Sequence, residues 1–127
     1  MDEFDVIDAV YDVVEAAETG LVIYKDRSKT GEKADHIVIS NMQFNEFDYV
    51  NKVPVNVNIF ITLQSNGMLE RVKMRTVKRD VRAALLTIRT KNGQHINPDI
   101  EWSTRISGAK EGFDCMNIRV LISTDKQ

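Results

Sequence analysis

The stretch VPVNVNIFITL, residues 53–63, decides the fold. Its aliphatic residues occupy every second position: Val53, Val55, Val57, Ile59, Ile61 and Leu63. The positions between them carry Pro54, Asn56, Asn58, Phe60 and Thr62. A strict period of two places these two sets on opposite faces of a β-strand. The stretch therefore predicts a strand with one face in a core. Pro54 belongs near the beginning of this strand or at a sheet edge, because proline donates no ladder hydrogen bond.

A helix is predicted on each side of this strand in the sequence. Over residues 3–18, apolar side chains recur at steps of three and four, as on one stripe of a helix: Phe4, Ile7, Val10, Tyr11 and Val14. Over residues 69–88 the same spacing recurs in a second set: Met74, Val77, Val81, Ala84, Leu85 and Ile88. Each helix is expected to bury its stripe, and Gly20 is a suitable stop for the first.

The remaining apolar runs predict shorter strands separated by turns. Strands are expected at 21–24, 36–40, 100–106 and 116–122, with alternation of Ile100, Trp102, Thr104 and Ile106 in the third of these. Turns are expected at 65–67, 91–93 and 97–99, a loop at 25–35 and a hairpin loop at 108–112. The segment 42–52 fits either an irregular continuation or a bulged edge.

These elements predict an α+β fold in the order α-β-β-β-α-β-β. We expect a largely antiparallel sheet with two helices on one face. With 127 residues, the chain is expected to form a single domain, 1–127.

Charge is divided between two segments of the chain. Residues 1–20 contain seven acids and no base, whereas residues 66–91 contain eight bases and two acids. The outward-facing bases of the second helix form one column, called the basic ridge below: Arg71, Arg75, Lys78, Arg82 and Arg89. The acidic first helix and the basic ridge could pair within one subunit or between neighbouring subunits.

Three roles for the basic ridge stay open. It can be only the solvated face of a helix, a contact for an acidic protein surface, or a contact for a nucleic-acid backbone. The predicted helix has no aromatic side chain to stack on bases, and the pI is about 5.7, so nucleic acid is possible but not favoured as a partner.

The sequence gives little sign of catalysis, so we expect a protein that is not an enzyme. Cys115 lies in an apolar strand pattern and is interpreted as a core residue, and both His36 and His95 are interpreted as surface residues. Asp99 and Glu101 would share one face of a strand, as in a metal-dependent nuclease, but without a following lysine.

No metal, cofactor, secretion signal or membrane span is expected either. The two histidines are isolated, a single cysteine cannot form an internal disulfide, and the chain never approaches 18 consecutive apolar residues. We therefore expect a cytosolic protein.

The chain resembles the tail-terminator family of long-tailed bacteriophages in element order and in its markers. The markers are an acidic opening helix ending in TGLVIYKD, then HIVISNMQFNEF, VPVNVNIFITLQ, MLERVKMRTVKRDVRAALLTI, DIEWSTRIS and CMNIRVLIST. The resemblance spans nearly the full chain. It implies a homo-oligomeric ring, expected to be hexameric, that caps the tail tube, stops its growth and meets the head-side connector. It also implies a location first in the cytoplasm of the bacterial host and then in the virion tail.

The resemblance and the charge pattern together give a set of expected interface residues. They are Arg71, Arg75, Lys78 and Arg82 of the ridge, Arg27, Lys29 and Lys33 of the loop 25–35, and Asp8, Asp12 and Glu15 of the first helix. Two other hypotheses remain beside a tail-assembly ring: a nucleic-acid-binding module that uses the ridge, and a small hydrolase or nuclease built on Asp99 and Glu101.

Overall fold

The sheet and helices are seen in a computed structural model that describes residues 3–41, 52–91 and 93–124. The elements follow in this order: α1 (Glu3–Ala16), β1 (Val22–Lys25), β2 (His36–Asn41), β3 (Lys52–Thr62), α2 (Arg71–Leu85), β4 (Thr90–Lys91), β5 (Gln94–Ile106) and β6 (Phe113–Thr124). The predicted α+β fold and element order are confirmed, with the two-residue strand β4 as an addition. The uncertain segment 42–52 lies, except for Lys52, outside the described residues.

Strand β3 lies in the interior of a six-stranded sheet with the order β1-β2-β3-β6-β5-β4. It pairs antiparallel with β2 on one side and with β6 on the other, and among the described strands only the β1–β2 pair is parallel. Pro54 is near the beginning of β3 as predicted, just outside the last pair with β2, which joins Asn41 to Val55. The strand is therefore central, and its proline lies opposite Leu121 of β6, near the beginning of the strand rather than on an edge strand.

Both helices pack on one face of the sheet and cover the aliphatic face of β3. The buried side chains of this layer include Val10 and Val14 of α1, Val77 and Val81 of α2, and Ile59 of β3, which form one core cluster. Phe4 was expected in this core but is 62% exposed. Val6 takes the buried position, and Phe4, two residues or about 200° earlier on the helix, falls on the opposite side.

The predicted turn at 97–99 is wrong, because Asn97, Pro98 and Asp99 lie within the long strand β5. Pro98 is opposite Ile122 of β6, while β4 pairs only with the first two residues of β5. At Pro98 the strand is therefore an edge of the described sheet, where proline's missing N–H group is tolerated. The second helix is also shorter than the spacing over residues 69–88 predicted: α2 ends at Leu85, and Lys91 belongs to β4.

A β-bulge divides β5 into two halves, and past the bulge the alternate side chains change to the opposite face of the sheet. Ile100 is opposite Val120 and Trp102 is opposite Arg119, which leaves Glu101 as the extra residue. Ile100 packs against the core cluster, whereas Trp102 lies on the other face of the sheet, opposite Arg119. The predicted alternation therefore holds from Trp102 to Ile106, but Ile100 lies on the opposite face of the sheet. Past the bulge it is Ser103 and Arg105 that lie on the helix side, opposite Ile118 and Met116.

Replacing Ile59 with alanine should lower the free energy of unfolding by about 2–5 kcal/mol, because it removes buried methyl groups and leaves a cavity. Urea denaturation followed by circular dichroism measures the change. Thr104→Ala, at an exposed position of β5, is the control and should change stability by about 0.5 kcal/mol or less. Equal losses in the two variants would contradict the central role of β3.

Candidate functional site

The basic ridge lies on the flank of α2 that faces β5. Arg82 donates a hydrogen bond from Nη1 to Ser103 Oγ at 2.5 Å, which ties the middle of the ridge to the second half of β5. A cleft beside it is lined by Arg71, Arg75 and Lys78 of the ridge and by Arg105 of β5. The bulge at Glu101 thus determines which β5 side chains lie beneath the ridge.

Most of the ridge carries charge that no described residue of the subunit neutralises. Within the described part of the chain, neither Arg71, Arg75 nor Lys78 makes a salt bridge, and the same holds for Arg79 beside them. Arg89 lies beyond the end of α2 and donates to the carbonyl oxygens of Leu86 and Ile88. The ridge is therefore a cationic surface with capacity for an external anionic partner.

The acidic residues of α1 pair with lysines of the sheet and not with the ridge. Asp8 Oδ1 accepts a hydrogen bond from Lys25 Nζ at 2.7 Å, and Asp12 Oδ2 lies 3.4 Å from Lys91 Nζ. Lys25 belongs to β1 and Lys91 to β4, the two ends of the strand order, so the sheet curls around α1. The hydrogen bond to Asp8 raises the pKa of Lys25.

The third predicted acid of α1, Glu15, interacts with Tyr11 on the same helix. A hydrogen bond to the Glu15 carboxylate raises the pKa of the Tyr11 hydroxyl. The flank of α2 that faces α1 carries Asp80 and Ala84, and the ridge lies on the other flank. The structure therefore does not show charge pairing of the two helices within one subunit. That pairing was one of the two arrangements expected.

The loop at residues 26–35 is held against the sheet by Glu32. This carboxylate accepts hydrogen bonds from the Tyr24 hydroxyl and, at 2.9 Å, from the backbone N–H of Ala34. These bonds, the one from Tyr24 above all, lower the pKa of Glu32 to about 2. The three predicted interface cations of the loop, Arg27, Lys29 and Lys33, lie exposed around this anchored residue.

His36 was interpreted as a surface residue, and this is wrong: it is 0% exposed. Its ring stacks on Phe60 at a centroid distance of 4.7 Å and meets Phe113 edge-on. Nδ1 lies 2.8 Å from the Ala34 carbonyl oxygen, to which the ring can donate. Burial lowers the pKa of His36. Sequence reasoning missed this because the aromatic partners, which also include Tyr24, come from three separate strands, β1, β3 and β6.

The hairpin loop between β5 and β6 meets the loop 26–35 above this aromatic cluster. Lys110 Nζ donates to Ser28 Oγ at 3.3 Å and lies 3.5 Å from His36 Nε2. The same ammonium group lies 5.1 Å from the ring centroid of Phe113, which is a cation–π distance. The hairpin loop and the loop 26–35 therefore contact each other in the subunit.

A row of polar side chains crosses the sheet face away from the helices. Trp102 Nε1 donates to Asn117 Oδ1 at 2.9 Å, and Asn117 Nδ2 donates to Asn58 Oδ1 at 2.7 Å and to Asn56 Oδ1 at 3.1 Å. The Arg119 guanidinium lies 4.6 Å from the Trp102 ring centroid. The sequence contained a signal for this row. Asn56 and Asn58 lie on the same face of the stretch 53–63, and asparagines repeated on one face of a strand indicate hydrogen bonding across that face.

The residues considered for catalysis are dispersed. Burial raises the pKa of the Cys115 thiol to about 11, in agreement with its interpretation as a core residue. Glu101 Oε1 lies 3.0 Å from Arg119 Nε, without the alignment of a hydrogen bond, and both Asp99 and His95 are exposed. Within residues 3–41, 52–91 and 93–124, no three His, Cys, Asp or Glu side chains are grouped to hold a metal ion.

Neither helix of the described chain has the length and apolar character needed to cross a membrane. No protein-family model matches the sequence, and no curated protein matches it. Solved structures share its fold over nearly the whole chain. One is a chain of the virion of a native gene transfer agent particle, with 11% identity, a TM-score of 0.63, and 94% of each chain covered.

Another solved structure shares the fold as well. It has 10% identity and a TM-score of 0.63, and the match covers 100% of this chain and 98% of that chain. At such low identities these similarities show a shared fold, and the fold is found in a virion component.

Replacing Glu32 with glutamine should remove part of the acid sensitivity of the protein. Because the folded-state pKa of Glu32 is about 2, below an ordinary value of about 4.3, its ionisation stabilises the fold above about pH 4.5. That contribution is lost as the pH falls toward 2. Urea denaturation between pH 2.5 and 6 measures it, with Glu111→Gln in the neighbouring loop as control. A variant with the same pH dependence as the unmodified protein would show that Glu32 does not anchor the loop.

Proposed function

We propose that this protein is a structural subunit of a phage or prophage virion that acts as a tail terminator. In this role it assembles into a ring, expected to be hexameric, caps the end of the tail tube and joins the tube to the head connector. The observation that carries the proposal is the fold shared with a chain of a virion particle over 94% of both chains. The element order and sequence markers of tail terminators support the finer assignment.

The charged surfaces support a function in assembly. The unneutralised cations Arg71, Arg75 and Lys78 and the exposed loop cations Arg27, Lys29 and Lys33 offer two cationic contact regions. Asp8, Asp12 and Glu15 offer an anionic one on α1. Complementary surfaces of this kind fix orientation and partner choice, which a ring subunit needs. We propose that such a protein acts without catalysis or cofactor, first in the cytoplasm of the bacterial host and then in the virion tail.

Nucleic-acid binding is the second candidate, and the same unneutralised arginines favour it. Phosphate groups along a backbone could bind Arg71, Arg75 and Arg79, which recur at helical steps on one exposed flank. This candidate predicts binding to duplex DNA that weakens steeply as salt is raised.

Light scattering across a range of protein and salt concentrations, with and without duplex DNA, separates the two candidates. A terminator subunit should show a salt-sensitive, ring-sized mass that DNA does not change. A monomer that gains mass only with DNA would favour the second candidate. If the protein alone stays monomeric, electron microscopy with the polymerised tube protein of the same phage decides: absence of rings at tube ends would overturn the tail-terminator proposal.

A further inference from the structure

We propose that the exposed stripe of α1 in one copy docks on the basic ridge flank of α2 in a second copy. Phe4 would pack against Val72, and the acids that follow Phe4 would pair with the arginines that follow Val72. This inference rests on the self-association in the proposed function and names the two surfaces that produce it.

The α2 surface combines charge with exposed apolar side chains. Val72 is 80% exposed and Met68, just before the helix, is 63% exposed. The cleft beside Val72 is lined by Arg71, Arg75 and Arg79, with the apolar Met116 among its lining residues. An apolar centre with a cationic rim is the pattern of a surface that receives an acidic amphipathic helix.

The α1 surface carries the complementary pattern. Phe4 is 62% exposed, which is unusual for a large aromatic residue on an otherwise acidic helix face. Asp8, Asp12 and Glu15 follow it at steps of four, four and three residues, so all four side chains share one exposed stripe. The apolar residue is thus at one end of the stripe and the carboxylates occupy the rest.

The spacing on the two helices is the same. Arg71, Arg75, Arg79 and Arg82 also follow one another at steps of four, four and three. Each set spans about 16 Å of helix at 1.5 Å per residue. Laid side by side in the same direction, the helices bring Phe4 to the position of Arg71 and Val72, Asp8 to Arg75, Asp12 to Arg79 and Glu15 to Arg82.

The salt bridges of α1 within the subunit leave room for this contact. Asp8 uses Oδ1 for Lys25 and Asp12 uses Oδ2 for Lys91, so each carboxylate keeps a second oxygen. The Asp8 and Asp12 side chains are 43% and 66% exposed even with these partners. A second cation can therefore approach each of them without breaking the existing pair.

The exposed apolar residues favour a second copy over nucleic acid as the partner. A phosphate backbone would leave Phe4 unused and would gain nothing from Val72 or Met68, whereas a neighbouring α1 buries all three. The two surfaces lie on different elements of the same subunit, so the contact is head-to-tail and can repeat. Repetition that closes gives a ring, which agrees with the proposed function.

A charge-exchange experiment tests this contact. One variant carries Asp8→Arg and Asp12→Arg, and the other carries Arg75→Glu and Arg79→Glu; circular dichroism and urea denaturation verify that each folds. Sedimentation velocity should show that each variant alone fails to associate, because one of its two surfaces then repels its partner. An equimolar mixture should recover the mass of the unmodified protein, because every surface again has a complementary one.

The apolar half of the contact has its own test. Phe4→Ala should weaken self-association about tenfold, whereas the matched control Lys52→Glu at an exposed position of β3 should not. The inference is overturned if either charge variant associates alone or if their mixture stays dissociated. It is also overturned if Phe4→Ala leaves self-association unchanged. It is also overturned if the unmodified protein never self-associates, or if the Arg75 and Arg79 changes abolish DNA binding but leave the mass unchanged. Rings at tube ends that persist in these variants would leave the proposed function intact.

Discussion

Burial of the aliphatic face of β3 beneath both helices is the constraint on which the rest of the structure depends. Four consecutive core positions of this strand, Val55, Val57, Ile59 and Ile61, have no solvent exposure. Because β3 pairs along its length with β6 and over residues 55–60 with β2, the neighbouring strands must turn their own apolar side chains to the same side. The position of the helices depends on this face, because its apolar side chains form the layer that the apolar stripes of the helices can cover.

The distribution of charge is a consequence of this packing. Each helix gives one stripe to the core, so its charged residues remain on the flanks and outer side. On α1 the carboxylates of Asp8 and Asp12 reach the lysines of the two outermost strands, while α2 presents Arg75 and Arg79 away from α1. The same subunit therefore exposes an anionic and a cationic surface that do not meet each other, which is the condition for attraction between copies.

The sequence was sufficient for the parts of the fold that have a regular period. Alternation in β3 and the helical spacing in α2 predicted the core face of both, as Val77 and Val81 show. Phe4 was misplaced because a helix end is too short for the period to fix its phase. The change of face at the Glu101 bulge and the burial of His36 depend on which strands become neighbours. No local sequence pattern contains that information.

The candidate site was predictable to a similar degree. Helical spacing grouped the ridge cations Arg71, Arg75 and Lys78, and the structure places them on one flank. The anchor of the loop, Glu32, was not found, because its depressed pKa depends on a hydroxyl from β1 that lies eight residues away in the sequence. Sequence alone also could not tell which cations have partners in the subunit.

Pro98 and the bulge at Glu101 both interrupt the free edge of β5. An uninterrupted edge strand of this length would offer a row of backbone donors and acceptors on which the sheet of another molecule could extend without limit. Here the proline removes one donor and the bulge breaks the repeat. Open-ended sheet growth between copies is therefore disfavoured, and the proposed association would depend on side-chain surfaces with a fixed geometry.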